Sequence, residues 1–302
     1  MKSGQPLYLN EEQVRKNLRM VDLIPAMEKS LIDFSDGKVT QPVRSVISVD
    51  PPGGFFGLMP ALAEGLGVKI VTFYPPNAQR DIPTHMATIL LVDPETGTPL
   101  AVMDGRLITE MRTAAVSAAA TKLLASPDAK VLAILGSGVQ ARSHIEALRL
   151  VRNYEEIRVW SPTPANAEQL AKEIGGKAMP AEEAVRDADV VVTVTSSKTS
   201  ILRGAWLKRG CHVNAVGACR PDWRELDDDA MQNVLFVDSR AGAMQESGDV
   251  ILSGAKIYAE LGEALARKVP PRANEITIFK SLGMAVEDIA AALLVYRHVT
   301  EN

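Results

Sequence analysis

The chain has 302 residues, 46% hydrophobic and 23% charged, a balance that suits a globular protein with a full core and gives two domains as the natural expectation. Its net charge of −4 argues against a nucleic-acid or polybasic membrane surface, and no run approaches the ~20 apolar residues of a membrane helix. Cys211 and Cys219 lack CxxC spacing and are too few for a disulfide framework, so both are expected to be reduced.

The opening stretch MKSGQPLYLNEEQ has no apolar core of signal-peptide type, and a cytoplasmic protein is expected. Residues 8–36 carry apolar positions at helical spacing (Val14, Leu18, Val21, Ile24, Met27, Leu31), with Asn10 as cap and Glu11 and Glu12 in the first turn. The spacing predicts one helix there. Strand-like runs follow at 44–49, 54–62, 68–74, 85–93 and 99–105, separated by Pro- and Gly-rich turns. This is a mostly antiparallel α+β segment.

From Thr109 the texture changes. An Ala-rich helix, MRTAAVSAAATKLLA, ends before Ser126-Pro127-Asp128. Strands are then expected at 131–135, 157–160, 189–195, 211–216 and 234–238, with helices near 139–152 and 164–174. Such alternation implies right-handed βαβ units and a parallel sheet covered on both faces. The fold class is therefore α/β: a Rossmann-type doubly wound domain over 113–282, joined to an N-terminal α+β domain over 1–112. A last helix, near 283–299, is apolar enough to pack back, so 283–302 completes the first domain.

The stretch KVLAILGSGVQARSHI places Gly136-Ser137-Gly138-Val139-Gln140-Ala141 between a strand and a helix. Two glycines there let backbone amides approach a pyrophosphate at a helix N-terminus, and Ala141 permits close helix–strand packing. The second strand ends at Ser161-Pro162-Thr163, where an NAD-specific site carries an acid for the ribose 2′-hydroxyl. Glu155 and Glu156 precede that strand and should face away. A neutral Ser161 favours NADP(H), with NAD(H) possible, and Arg142 and Lys198 are candidate counter-charges for a 2′-phosphate. Asp222, Glu225 and Asp227-Asp228-Asp229 read as a solvated helix start rather than a metal site.

Several stretches together resemble the ornithine cyclodeaminase/mu-crystallin family: GSGVQARSH, NAVGACRPDWRELDDD, ESGDVILSGAKIYAELGE and IFKSLGMAVED, with QPVRSV, VKIVTFY, IPTHMAT, AVMDG and MRTAAVSA ahead of them. Within that family the chain sides with the mu-crystallin branch of ketimine reductases. The resemblance implies a homodimer whose N-terminal domain supplies substrate contacts and the interface, and hydride reduction of cyclic imines conjugated to a carboxylate. It matches Arg44, Lys69 and Arg112 to the cationic substrate positions, and Thr84, His85 and Arg112 to the neighbourhood of the cofactor. Thr195, Ser196 and Val216 match the nicotinamide wall, and Ser281 and Leu282 the segment closing over the ring.

One departure bears on the reaction. Cyclodeaminases of the family carry Asp where this chain has Cys219, and a deaminase needs a carboxylate base at the attacked carbon. Cys219 is the size of the small hydroxyl residue of mu-crystallins, which demotes the cyclodeaminase reading. An alanine-dehydrogenase-like amination and a thyroid-hormone-binding or lens-protein role in the same pocket remain the alternatives. Lys69 shares its strand face with Val71 and Phe73, an expensive place for an unpaired ammonium. Near two arginines it is expected to have a lowered pKa and to supply a proton to nitrogen. Glu246 and Asp249 belong to a family signature, with capping and catalysis both open as roles.

Overall fold

The computed structural model describes residues 5–80 and 82–301. The chain divides into two compact units, unit 1 being Met1–Arg112 with Met284–Asn302 and unit 2 being Thr113–Gly283. No helix among the described residues is long and apolar enough to cross a membrane.

Unit 1 begins with β1 (Leu7–Leu9), α1 (Glu11–Asn17) and α2 (Met20–Ser35). There follow β2 (Ser45–Val49), β3 (Gly54–Leu62), β4 (Leu66–Phe73), β5 (His85–Val92) and β6 (Pro99–Asp104). Helix α3 (Arg106–Leu124) carries the chain across the boundary after Arg112. The six strands form one sheet in the order β1-β6-β5-β4-β3-β2, antiparallel throughout except for β1 beside β6. Alternation sorts its two faces. Met59, Gly67, Lys69, Ile89, Leu91, Ala101 and Met103 are buried on one face, which the C-terminal helix Ala285–Glu301 covers. Gly67 is needed there: a Cβ on it would lie 2.7 Å from Ile289 and 2.5 Å from the Leu90 carbonyl. The other face leaves Ile47, Leu58, Ile70 and Met86 exposed.

Unit 2 holds β7 (Val131–Leu135), α4 (Val139–Arg149), β8 (Glu156–Trp160), α5 (Pro164–Ile174), β9 (Lys177–Ala178), α6 (Ala181–Val185), β10 (Val190–Thr193) and β11 (His212–Ala215). It continues through α7 (Asp228–Met231), β12 (Val234–Val237), α8 (Arg240–Glu246), α9 (Gly248–Ser253), β13 (Ile257–Glu260), α10 (Leu261–Leu265) and β14 (Thr277–Lys280). The closing helix of unit 1 is α11. The eight strands are parallel in the order β13-β12-β14-β11-β10-β7-β8-β9. From β7 the chain winds outward through β8 and β9, then returns to β10 and β11 on the other side. That reversal between β7 and β10 is the switch point at which such sheets open a ligand crevice beyond the strands' carboxyl ends. The α/β class expected from the sequence is the class observed.

The single helix expected over 8–36 is instead β1, α1 and α2. Leu7–Leu9 joins the sheet edge beside β6, and Asn10 and Gln13 form a reciprocal capping box that starts α1. A continuous helix would give the Asn17 carbonyl to Val21; here His298 Nδ1 lies 2.8 Å from it, and the Asn17 side-chain Nδ2 donates to the Gln13 carbonyl. Helix α3 starts before the Ala-rich stretch because Asp104 caps the Leu107 amide. Strands β13 and β14 are absent from the sequence reading, β14 because its short run TIFK ends in a charge.

Candidate active site

The glycine turn lies at the carboxyl end of β7. Gly136 has φ +137°, and a Cβ on it would lie 2.8 Å from the Val194 carbonyl oxygen just beyond β10. Glycine is required by both facts. Gly138 is the N-cap of α4 and makes no side-chain cap, so the first-turn amides are open to an anion. A Cβ on Gly138 would meet no protein atom within 4 Å, and Val139 beside it is exposed. Gly136, Ser137, Gly138, Val139 and Gln140 thus form a turn whose open amides could hold the pyrophosphate of a dinucleotide.

Ser161 is buried, and its Oγ accepts a hydrogen bond from the Ser137 Oγ at 2.9 Å, which ties the turn to the end of β8. Pro162 and Thr163 are exposed next to it. Glu156 opens β8 paired with Arg158 and Lys177, and Glu155 pairs with Lys130, so neither acid stands at the ribose end. Arg142 differs from its expected part: the Nε and Nη2 edge of its guanidinium engages both oxygens of Glu173, and Nη1 donates to the Ser137 and Gly138 carbonyls. Lys198 lies 5.5 Å over the Trp223 ring.

Beyond β10, β11 and β14 a buried ionic cluster supports the loops. Glu225 is fully buried, which corrects its placement in a solvated helix start: Pro221–Arg224 lead it inward before Asp227 caps α7. Its Oε1 accepts from both the backbone N and the Oγ1 of Thr195 at 2.6 Å. Burial raises the Glu225 pKa against the pull of Lys280 and Thr195. Asp249 accepts from the Glu225 and Leu226 amides and pairs with Lys280 at 3.0 Å. Burial alone would lower the Lys280 pKa, but Asp249, Cys219 and Glu225 reverse the shift upward.

Lys280 also donates to the Gly217 carbonyl, the start of the loop that carries Cys219. Ala218 has φ 55°, a left-handed conformation unusual for a residue with a Cβ, and Cys219 is exposed with Sγ 3.9 Å from the Val216 carbonyl. Val216 is buried and Ser196 exposed. Asp238 at the end of β12 accepts from the Leu282 and Gly283 amides at 2.6 and 2.8 Å, which fixes the Ser281-Leu282 turn.

In unit 1 three cations gather. Lys69, 2% exposed, reaches Asp288 at 2.6 Å. Arg112 at the end of its part of α3 donates from Nε to Asp288 at 2.9 Å and from Nη1 to Glu287 at 2.7 Å. Burial lowers the Lys69 pKa to about 8; Asp288 opposes the fall, while Arg112 and Arg44 add to it. Arg44 is half-buried in the segment before β2. His85 shares the Lys69 face, since Phe73 pairs with His85 and Lys69 with Ile89. Burial, then Lys69 and Arg112, lower the His85 pKa to about 4, so its ring is neutral at neutral pH. Thr84 is half-buried, its carbonyl accepting from the Tyr74 amide.

Sequence reasoning brings out Arg44, Lys69, Arg112 and His85, and the structure brings these together within unit 1. It misses their acids. Glu287 and Asp288 stand in the first turn of a helix, where acids ordinarily need no more reason than the helix dipole. The signal available was the burial of the lysine itself, since a buried cation requires a buried partner. Among the described residues no group of three or more His, Cys, Asp or Glu could hold a metal ion.

The sequence pattern of the ornithine cyclodeaminase/mu-crystallin family matches residues 5–302, and the chain belongs to that family. Ketimine reductase mu-crystallin of Mus musculus is 51% identical over 302 residues, 96% of each chain. The Thermococcus litoralis Δ1-pyrroline-2-carboxylate reductase, solved in complex with NADH and L-proline, superposes with a TM-score of 0.93 at 38% identity, covering 98% of both chains. An archaeal alanine dehydrogenase dimer with bound NAD also superposes with a TM-score of 0.93, at 32% identity, over 98% of this chain and 96% of that one.

Proposed function

We propose that the protein is an NAD(P)H-dependent reductase of cyclic ketimine carboxylates such as Δ1-piperideine-2-carboxylate. The observation that carries this reading is the buried Lys69 ammonium beside Arg112, with Arg44 acting on its titration. Relatives named for ketimine and pyrroline-carboxylate reduction support it. A nicotinamide dinucleotide held at the Gly136–Gln140 turn would supply the hydride that the C=N carbon requires. Arg44 and Arg112 receive the substrate carboxylate, for which the guanidinium fork is suited. Lys69, with a pKa of about 8, gives its proton to nitrogen as the carbon is reduced and regains one from solvent. The product is a cyclic secondary amine.

For the cofactor we favour NADP(H) over NAD(H), because Ser161 replaces an acid, although the solved relatives named above hold NADH and NAD. Thr84, His85, Thr195, Ser196, Val216, Ser281 and Leu282 are proposed to face the nicotinamide, and Cys219 the substrate. We further propose a cytoplasmic homodimer, with unit 1 as the substrate and dimerisation domain. Ile47, Phe56, Leu58, Ile70 and Met86 form a half-open apolar sheet face that a second copy would cover.

The deciding experiment is oxidation of NADPH and NADH against cyclic ketimine carboxylates, pyruvate with ammonia, and ornithine with the oxidised cofactors. Ketimine reduction with NADPH is expected to dominate. Turnover of ornithine or of pyruvate with ammonia in its place would transfer the assignment to the cyclodeaminase or alanine-dehydrogenase branch.

A further inference from the structure

The first turn of α11 presents Glu287 and Asp288, both fully buried, to the two buried cations of unit 1. Asp288 uses one oxygen for Lys69 Nζ at 2.6 Å and the other for Arg112 Nε at 2.9 Å. Its carboxylate therefore bridges the strand residue and the helix residue. Glu287 meets Arg112 from the other side of the fork, at Nη1. The turn itself is tethered by Gln41, whose side-chain oxygen accepts from the Val286 amide at 2.8 Å. Gln41 lies three residues before Arg44, so one segment supplies a cation and anchors the acid.

We propose that Asp288 is a positioning residue of the reductase site: its carboxylate sets the separation of the Lys69 ammonium and the Arg112 guanidinium, and keeps on Lys69 the proton that the reduced nitrogen takes up. The inference rests on the reading of Lys69 as the proton donor. An acid here is costly to bury unless both of its oxygens are matched, and the two cations match them. Lys69 faces Asp288 from α11, Arg112 from α3, Arg44 from the segment before β2 and His85 from β5. Glu287 acts at one remove, through Arg112. Around Lys69 itself Met59 and Ile89 are apolar and give a charge nothing. Burial and the two arginines all disfavour the ammonium, and Asp288 opposes them. Without that carboxylate the Lys69 pKa would fall below its value of about 8, and less of the proton-giving ammonium would remain at neutral pH.

The test uses full-length Asp288→Asn and Asp288→Glu proteins, with kcat and KM for a cyclic ketimine carboxylate and NADPH measured across pH. In parallel, ε-13C-lysine-labelled protein is titrated by NMR, the Lys69 signal being assigned by its loss in Lys69→Met. In the parent, Lys69 should titrate near pH 8, and activity should fall as pH rises through that value. Asp288→Asn should move both the titration and the alkaline limb of kcat down by about one pH unit or more, with NADPH affinity unchanged. Asp288→Glu keeps the charge but displaces it; the limb should stay in place while kcat drops roughly 10- to 100-fold. An unshifted Lys69 titration in Asp288→Asn would overturn the proposal, even if kcat fell. Should that variant fail to fold, parental kcat in Asp288→Glu would overturn the positioning role. If the parent reduces no ketimine, the functional reading fails separately, and the NMR titration still judges the link between Asp288 and Lys69.

Discussion

Lys280 and Asp249 face each other at 3.0 Å with both side chains fully buried, one at the end of β14 and the other in the first turn of α9. The pair does more than neutralise itself. Asp249 holds the backbone that carries Glu225, and Lys280 holds the Gly217 carbonyl, so two loops beyond the sheet depend on one contact. Breaking a buried pair from one side leaves the other charge unmatched, at a cost of about 3–5 kcal/mol. Asp249→Asn should lower the unfolding free energy by that amount in urea titrations. A change under about 1 kcal/mol would mean that water reaches the cluster.

Two histidines of unit 2 set an acid limit on stability. His212 sits between Thr277 Oγ1 and Asn214 Oδ1, and His144 between Ser117 Oγ and the Gln140 carbonyl. Burial lowers each pKa from 6.5 to about 4. The unfolded chain therefore binds their protons first, and the stability present above pH 6.5 is lost as pH falls towards 4. Each contributes a slope of up to about 1.4 kcal/mol per pH unit in that window. Unfolding free energies of the parent and His212→Gln, measured from pH 7.5 to 4.5, should differ in slope by about one histidine's share. Parallel curves would contradict the assignment.

The local parts of this fold are legible in the sequence and the distant parts are not. Gly136 and Gly138 can be read because a tight turn between a strand and a helix is a matter of six consecutive residues. Lys69 can be suspected because a charge interrupts an apolar run. That its partner is Asp288 depends on α11 returning to the sheet of β4, and no spacing along the chain encodes that. Glu225 misleads for the opposite reason: the three consecutive aspartates after it look solvated, yet the chain dives into the core just before them. β14 hides because Lys280 closes a run of only four residues in a central strand, where the sheet demands burial of whatever stands there.

Cofactor choice should respond to Ser161. An aspartate at that position stands at the end of β8, in place to accept from the ribose 2′-hydroxyl and to repel a 2′-phosphate. It also remains an acceptor for the Ser137 hydroxyl. Ser161→Asp should move the ratio of kcat/KM for NADPH over NADH by roughly tenfold or more towards NADH. A ratio equal to the parent's would place recognition of the phosphate on other residues.

The two glycines of the turn should separate folding from binding. At Gly136 a methyl group would meet the Val194 carbonyl at 2.8 Å, with the backbone at φ +137°. Both the clash and the strain exist without any ligand, so Gly136→Ala should lower the melting temperature and weaken nucleotide binding together. At Gly138 the same methyl would enter open space, and φ is −82°. Nothing in the protein opposes it. The only thing it could displace is a molecule seated against the first amides of α4, where pyrophosphate oxygens approach most closely. Gly138→Ala should therefore melt within a degree or two of the parent, as an unstrained substitution of this kind does. Its affinity for NADPH, read by fluorescence titration, should nevertheless fall roughly tenfold or more. Undiminished affinity in Gly138→Ala would show that the dinucleotide does not rest on this turn.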